Sequence, residues 1–596
     1  MEVSMSNDLC STLSSAQTTL EEIEQEKRAW ETNLVADRVT RYKLKECPTK
    51  FYTPADCQRS NFLEKVGFPG QYPFTAGNEP FDFWRATAKS QAVKGHRPEW
   101  GGSGVGKYSG FGTASDYRDY LLKMQRMGRS GGPNIAFDLV TQCGYDSDSP
   151  YADGEVGRVG VAVDTLRDFE TIYEAFTGAQ DIDKVPSNFT INAPAAVIIA
   201  MYVVLAEKRG IDLAKLRGTP QNDILKEFVG RGTYIFPPGP SLRLFRDTLT
   251  FCTQYLPEMN INSMGGYHLR EAGATREQDL AFSMAIGRSY LQVGVGAGLH
   301  VDQFAPKFTF NAFGGSMEIY YEIAFQRAAR RMWARMLKEE FGAKDRKSMM
   351  IRQLLTAHIG CTSTTLQRPL NNLSRAVIGG VAAGMSGGMP SAYPPFDEPL
   401  GLGHSMEAVQ LQIDATRILI HEAKLADVND PWAGSYFMEA MTDRIEEEAR
   451  TELEKIDKMG GTIQAIESGY MSQAIAKSAY ERQKQIDHQE EFVIGVNCFT
   501  GGNEINVSIN ANVEATYDPE LMATAEERQK KLLTQIKNKR DAKDVSAALA
   551  NLKKNAANER INLMPDIVEC VRHYASLQEI CDALRDVFGE AKMTKI

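Results

Sequence analysis

Along this chain, short apolar runs alternate with stretches of helical spacing, from residue 72 to about residue 512. The short runs predict strands at 134–140, 187–192, 218–224, 261–267, 298–304, 349–355, 384–392 and 492–496. Helical patterns separate successive members. Strand then helix, repeated eight times, predicts an α/β fold: a parallel (β/α)8 TIM barrel over residues 76–515. Several runs carry Gly, Ser, Thr and Asn where a filled barrel interior would carry Val, Ile and Leu. One reading is an axis left open to a long ligand. The other is that these positions are the loop ends of strands.

The flanks differ. Residues 1–75 read as an N-terminal extension or arm. There Thr19-Leu-Glu-Glu22 is a capping-box pattern that opens a charged helix running to Trp30. That helix either packs on the body or wraps a partner subunit. Residues 516–596 read as a charged, C-terminal helical segment, with a second capping box at Ser576-Leu-Gln-Glu579. The longest apolar run, 193–206, is about fourteen residues, against about twenty for a bilayer span. It predicts a buried helix, and no membrane partner.

Composition then narrows the class. The 596 residues are 43% hydrophobic and 24% charged, enough apolar residue for a full core. A net charge of −10, with no long basic run, argues against nucleic acid. The first residues, MEVSMSNDLCSTLSS, lack a basic region followed by an apolar stretch, so no secretion signal is expected. The nine cysteines form no C-x-x-C pair, which fits reduced, mostly buried thiols in the cytosol. The expected location is cytoplasmic.

The chemistry concentrates between residues 218 and 274, in GTPQNDILKEFVGRGTYIFPPGPS and NINSMGGYHLREAGA. Gln221, Asn222, Asp223, Arg231, Asn260, Tyr267 and His268 sit there among apolar and glycine positions. Polar side chains at a strand's end, beside glycines that admit a ligand closely, are the make-up of a site. Gly101-Gly-Ser-Gly-Val-Gly106-Lys107 imitates a phosphate-binding loop, but position 108 is Tyr and no strand precedes it, so nucleotide hydrolysis is rejected. No zinc spacing, metalloprotease helix or G-x-S-x-G elbow occurs. Of eight histidines, His300, His404 and His421 have no partner at ligand spacing. They read as structural, and no metal ligand is expected here.

Further segments are TAGNEPFDFWR, KYSGFGTASDY, IAFDLVTQCGYDSDSP, GEVGRVGVAVDTLRD, VDQFAPKFTF, RRMWARML, DPWAGSYFMEA and FVIGVN. With GTPQNDILKEFVGRGTYIFPPGPS and GGYHLREAGA, they resemble the catalytic part of the methylmalonyl-CoA mutases, in that family's order, from about residue 72 to 588. These are adenosylcobalamin-dependent isomerases that rearrange acyl-CoA carbon skeletons. The resemblance implies a (β/α)8 barrel with the CoA pantetheine along its axis.

It also implies roles. Tyr108 matches a tyrosine beside substrate and cofactor. Arg231 matches the arginine that pairs with the substrate's free carboxylate, a job suited to a planar fork. His268 matches the histidine that hydrogen-bonds the thioester carbonyl, with Tyr267 and Gln221 as its neighbours. Arg97, Asn134, Asn188, Thr190, Asn260, Lys307, Thr309 and His358 fall on the substrate and CoA side. Glu398 matches an acidic residue near the adenosyl ribose. The implied reaction is radical 1,2-migration of the thioester group.

Departures sharpen the expectation. Lys307 and Thr309 replace the family's arginine and serine, and Asn134 and Asn188 replace two serines. The segment before Tyr108, Arg97-Pro-Glu-Trp-Gly-Gly-Ser-Gly-Val-Gly-Lys107, is longer and richer in glycine than the family's. It either makes room for a larger acyl group or reroutes a CoA loop around an unchanged substrate. Relatives that take isobutyryl- or 2-hydroxyisobutyryl-CoA are expected to lose the arginine and change the tyrosine, and both stand here. The expected substrate is therefore a succinyl-CoA/malonyl-CoA pair, with an alkyl or aryl substituent; plain methylmalonyl-CoA is the alternative. The cobalt-ligating D-x-H-x-x-G motif is not in this sequence. The lower face of the cofactor is thus expected from a small cobalamin-binding subunit, in an α2β2 heterotetramer. Two other readings stay open: a non-catalytic, structural subunit of such a heterodimer, and a cobalamin-free CoA-binding barrel with aldol or lyase chemistry.

Overall fold

The computed structural model describes residues 20–41, 53, 62–78, 105–126, 131–311, 313–352, 358–359, 362–400, 405–425, 427–501 and 519–592. Strand β1 (Val105–Ser109) pairs with β2 (Gly132–Ala136), β2 with β3 (Ser187–Thr190), and β3 with β4 (Gly218–Pro220), all in parallel. Beyond β4 lies β5 (Asn262–Met264): the Asn260 and Ser263 N–H groups donate to the carbonyls of Gly218 (2.9 Å) and Gln221 (2.8 Å). β5 pairs in parallel with β6 (Phe308–Phe310), and β7 (Gly314–Gly315) with β8 (His358–Ile359). β2 through β6 each lie beside the preceding strand, and β8 lies beside β7, with helices between the two members of every such pair. The fold is mixed α/β with parallel sheets. The strands are short, and among the described residues no pairing closes them into a ring.

Alternation along the strands separates two faces. Ile135 and Phe189 are buried under the helices, while Asn134, Asn188 and Thr190 on the opposite face are only half-buried. The helix Ala195–Lys208 is buried from Ala195 through Ala206, as its apolar run predicts. It can be apolar all round because both sides are covered, one by the sheet and the other by the helix Met564–Arg572. The C-terminal helices Pro519–Lys539, Ala542–Ala556, Met564–Arg572 and Leu577–Phe588 fold back on the body. Arg528 grips Asp116 with both Nη atoms (2.7 and 2.8 Å), and Gln529 Nε2 bridges Asp164 (2.8 Å) and Asp168 (2.9 Å).

The helix Ile319–Arg335 carries three buried arginines, each with partners that offset the cost of burying charge. Arg327 holds Asp430 (2.9 Å) and Glu439 (2.6 Å), and Arg331 holds Asp443 (2.8 Å) and Glu446. Among the described residues Arg330 feels Asp430 electrostatically but holds no carboxylate directly. It donates instead to the carbonyls of Phe74 (3.0 Å), Thr75 (2.7 Å) and Ser386. Residues 62–78 are held against this layer, with Lys65 Nζ 2.6 Å from Asp443.

Several strand expectations shift. The 298–304 run is a turn followed by the helix Val301–Phe304, started by a His300 capping box; the strand is β6. The 384–392 run is the end of the helix Asn371–Met385 and its exit turn. Residues 492–496 contribute a single bridge, Ile494 to Cys498. Residues 349–352 are irregular, 353–355 fall outside the described residues, and the strand there is β8. The runs at 134–140, 218–224 and 261–267 each turn helical before they end. β1 has no counterpart among the expected strands, because Val-Gly-Lys-Tyr-Ser offers no apolar run.

Candidate active site

The loop after β4 builds the first wall. Asn222 takes a left-handed φ of 42°, which asparagine tolerates, and its amide is fixed by Thr248 Oγ1 (3.0 Å) and the Ile261 carbonyl (3.3 Å). A short helix, Ile224–Lys226, runs into a π-helical turn, Glu227–Arg231, which ends at Gly232 with φ 94°. Such turns recur at functional sites because they re-aim side chains. Here the turn buries Lys226 and Glu227 and leaves Arg231 half-buried.

Below Arg231 lies a dense polar cluster. Glu227 Oε1 accepts from Lys226 Nζ (2.6 Å), Asn192 Nδ2 (2.6 Å) and Arg231 Nη1 (3.4 Å). Its Oε2 accepts from the N–H (3.1 Å) and hydroxyl (2.6 Å) of Thr233. Gln221 Oε1 accepts from Asn192 (2.8 Å) and Lys226 (3.3 Å). Burial raises the Glu227 pKa, but Lys226 and Arg231 outweigh it and hold the carboxyl below its usual value. For Arg231 burial opposes the charge, while Glu227, Tyr267 and Tyr108 raise its pKa on balance. Lys226, Glu227 and Asn192 were not among the expected site residues. The signal for Lys226 and Glu227 is a Lys-Glu pair inside the apolar stretch ILKEFV, while Asn192 only ends the expected strand 187–192.

The loop after β5 builds the second wall. Asp223 Oδ2 accepts the Gly265 N–H (2.8 Å), and Oδ1 accepts the Tyr290 hydroxyl (2.9 Å). A Cβ on Gly266 would stand 2.4 Å from Asp279 Oδ1 and 2.5 Å from Ser283 Oγ, so only glycine fits. The helix Tyr267–Glu271 starts there, with the rings of Tyr267 and His268 3.9 Å apart. Burial raises the Tyr267 hydroxyl pKa, Tyr108 adds to it and Arg231 opposes it.

Tyr108 comes from β1. Burial raises its hydroxyl pKa, Arg231 and the neighbouring Thr190 side chain lower it, and Glu398 raises it. Half of its surface, 49%, is open, yet dehydration raises its hydroxyl pKa. Both hold for a side chain that faces an enclosed space rather than bulk water.

A polar row crosses the sheet from Tyr108. Register pairs Tyr108 with Asn134, Asn134 with Asn188 and Asn188 with Thr219, so all four share one face. Asn260 Nδ2 continues the row to Thr219 Oγ1 (2.7 Å). Thr309 donates to the Asn262 carbonyl (2.6 Å). Lys307 stands just before β6, at the opposite strand end from Tyr267 and His268. Burial lowers its pKa, Glu258 counters this, and Arg352 and Lys347 lower it further. Arg352 reaches Asn260 Oδ1 (3.3 Å) and was likewise absent from the expected set. One polar face thus joins a cationic end to an end with Tyr108, Arg231, Tyr267 and His268. Of the other expected residues, Arg97 lies outside the described residues, and His358 is described only as backbone in β8. Among the described residues no group of His, Cys, Asp and Glu could hold a metal ion.

This chain matches the family described as methylmalonyl-CoA mutase over residues 44–590. The chain belongs to that family. The 2-hydroxyisobutanoyl-CoA mutase large subunit of Aquincola tertiaricarbonis is 34% identical over 586 residues, covering 96% of this chain and 98% of that protein. The methylmalonyl-CoA mutase of Escherichia coli (strain K12) is 36% identical over 538 residues, 90% of this chain and 70% of that one. A probable mitochondrial methylmalonyl-CoA mutase of Caenorhabditis elegans is 36% identical over 538 residues, 90% of this chain and 67% of its own length. The methylmalonyl-CoA mutase family consists of isomerases, intramolecular transferases that act on acyl-CoA, and this chain is one of them. Among the described residues, no helix is long and apolar enough to cross a membrane.

Proposed function

We propose that this chain is the large, catalytic subunit of an adenosylcobalamin-dependent mutase. It interconverts a substituted succinyl-CoA and the corresponding branched malonyl-CoA. The observation that carries the reading is Arg231. Glu227 below it is already paired with Lys226 at 2.6 Å, while Arg231 stands at 3.4 Å and keeps 23% of its side chain open toward Tyr108 and Tyr267. A carboxylate brought into such a site costs several kcal/mol, about 3–5, unless a cation meets it.

The chain's own residues divide the work. Arg231 binds the free carboxylate and fixes the acyl group. His268, its ring tilted against that of Tyr267, donates to the thioester oxygen and holds the migrating group in place. Tyr108, beside Thr190, closes the space over the acyl carbons and keeps water out. Asn134, Asn188, Asn260 and Thr309 line the pantetheine path, and Lys307 with Arg352 takes phosphate charge. Tyr108 and Glu398 face the same space, a fit for the adenosyl group. Adenosylcobalamin, when bound, supplies the radical initiator.

The strand order supports a (β/α)8 barrel over 76–515, flanked by the extension 1–75 and the helical segment 516–596. The near-complete coverage of a relative named a large subunit supports a small cobalamin-binding partner, an α2β2 assembly and a cytoplasmic setting. Tyr108 and Arg231 support a carboxylated substrate, and the glycine-rich 97–107 segment supports a substituent larger than methyl. A second reading, plain methylmalonyl-CoA to succinyl-CoA, is favoured by the names of relatives at 36% identity.

The test is Arg231→Ala in the reconstituted enzyme, assayed on a panel of substituted succinyl- and malonyl-CoA esters. Turnover of carboxylated esters should fall by at least about a hundredfold. Unchanged turnover would overturn the assignment.

A further inference from the structure

Lys226 is fully buried, five residues before Arg231 and one before Glu227. It touches neither open space nor solvent. Its ammonium meets Glu227 Oε1 at 2.6 Å and Gln221 Oε1 at 3.3 Å. Arg231 reaches the same Glu227 oxygen only at 3.4 Å, and its side chain is 23% exposed where that of Lys226 is 1%. The other carboxylate within reach of Lys226, Asp223, is taken by the Gly265 N–H and the Tyr290 hydroxyl. Two cations therefore compete for one carboxylate, and the buried one holds the shorter bond.

We infer that Lys226 is a positioning residue that discharges Glu227 and so keeps Arg231 available to an incoming substrate carboxylate. Without Lys226, Glu227 would draw Arg231 into a close ion pair. The arginine would then have to break that pair before it could bind substrate. Thr233 fixes the other carboxylate oxygen, so Glu227 itself stays in place. The inference rests on the carboxylate-binding role proposed for Arg231.

Three proteins test it in the reconstituted enzyme: wild type, Lys226→Met, and Lys226→Met/Glu227→Gln. Each is assayed for the KM of a carboxylated acyl-CoA and, by calorimetry, for the Kd of butyryl-CoA, which has no carboxylate. Lys226→Met should raise the KM about tenfold while butyryl-CoA binds within about twofold of wild type. The double variant, which removes both charges, should bring KM back to within about threefold. An unchanged KM in Lys226→Met, equal weakening of both ligands, or no recovery in the double variant overturns the inference. If the single variant does not fold, the double variant decides alone: a KM near wild type supports charge balancing, and a raised KM refutes it. Wild-type enzyme that binds butyryl-CoA as tightly as the carboxylated ester is a separate result. It overturns the role of Arg231 itself.

Discussion

The Tyr108 hydroxyl on β1 lies close enough to Thr190 on β3 for that side chain to lower its pKa, with β2 lying between them. The phenol therefore reaches across a whole strand. The residue paired with Thr190 on that strand is Ala136, which is too small to block it. Thr190→Val keeps the shape and removes the hydroxyl partner. A neutral hydrogen bond contributes about 1 kcal/mol, so kcat should fall about fivefold with KM little changed. Steady-state kinetics of the variant beside Tyr108→Phe check this, and a Thr190→Val enzyme with wild-type kcat would separate that hydroxyl from catalysis.

Gly266 has no room for a methyl group against Asp279 and Ser283. Gly266→Ala should cost about 1–3 kcal/mol of stability, as overpacking does. It should also displace Tyr267 and His268, which begin the next helix. Thermal melting and turnover together read both effects. Retention of full activity would mean that the glycine is not what aims His268.

Asp279 gives the fold a pH dependence. Burial pushes its carboxyl up to about 7 from a reference of 3.8, with Arg270, Gly314 and Ser283 opposing. The folded state thus holds a proton that the unfolded state releases. Stability from this group is complete below the unfolded value and is lost as pH rises through the folded one. Between about pH 5.5 and about pH 8.5 the wild type should lose about 2 kcal/mol that Asp279→Asn does not lose. Urea unfolding at the two pH values measures the difference, and parallel losses in both proteins would refute it.

Arg327 is fully buried between Asp430 and Glu439. Arg327→Met leaves two carboxylates in the interior without their cation, at about 3–5 kcal/mol. A melting temperature within about a degree of wild type would show that water replaces the arginine.

The legible and illegible parts of this fold divide by burial. The helix Ala195–Lys208 and the C-terminal helices could be read from spacing alone, because each buries a face or is wholly buried. β1 could not, because its Val-Gly-Lys-Tyr-Ser offers no apolar run. The run at 298–304 misleads for the opposite reason: its apolar residues belong to a helical turn that His300 caps. In the site, Arg231 and His268 stand out beside glycines and strand ends. Lys226 shows only as one half of a Lys-Glu pair in an apolar stretch and Asn192 not at all, and that both meet at Glu227 is revealed by three-dimensional packing. The cationic pair of Lys307 and Arg352 is likewise split across two loops.

The three arginines of the helix Ile319–Arg335 also bear on the order in which the chain can be assembled. Arg330 binds the carbonyls of Phe74 and Thr75, and Lys65 binds Asp443. As the polypeptide leaves the ribosome, residues 62–78 therefore have no docking site until several hundred later residues have been made. That early segment waits undocked, with Phe74 uncovered, until the later helices are in place.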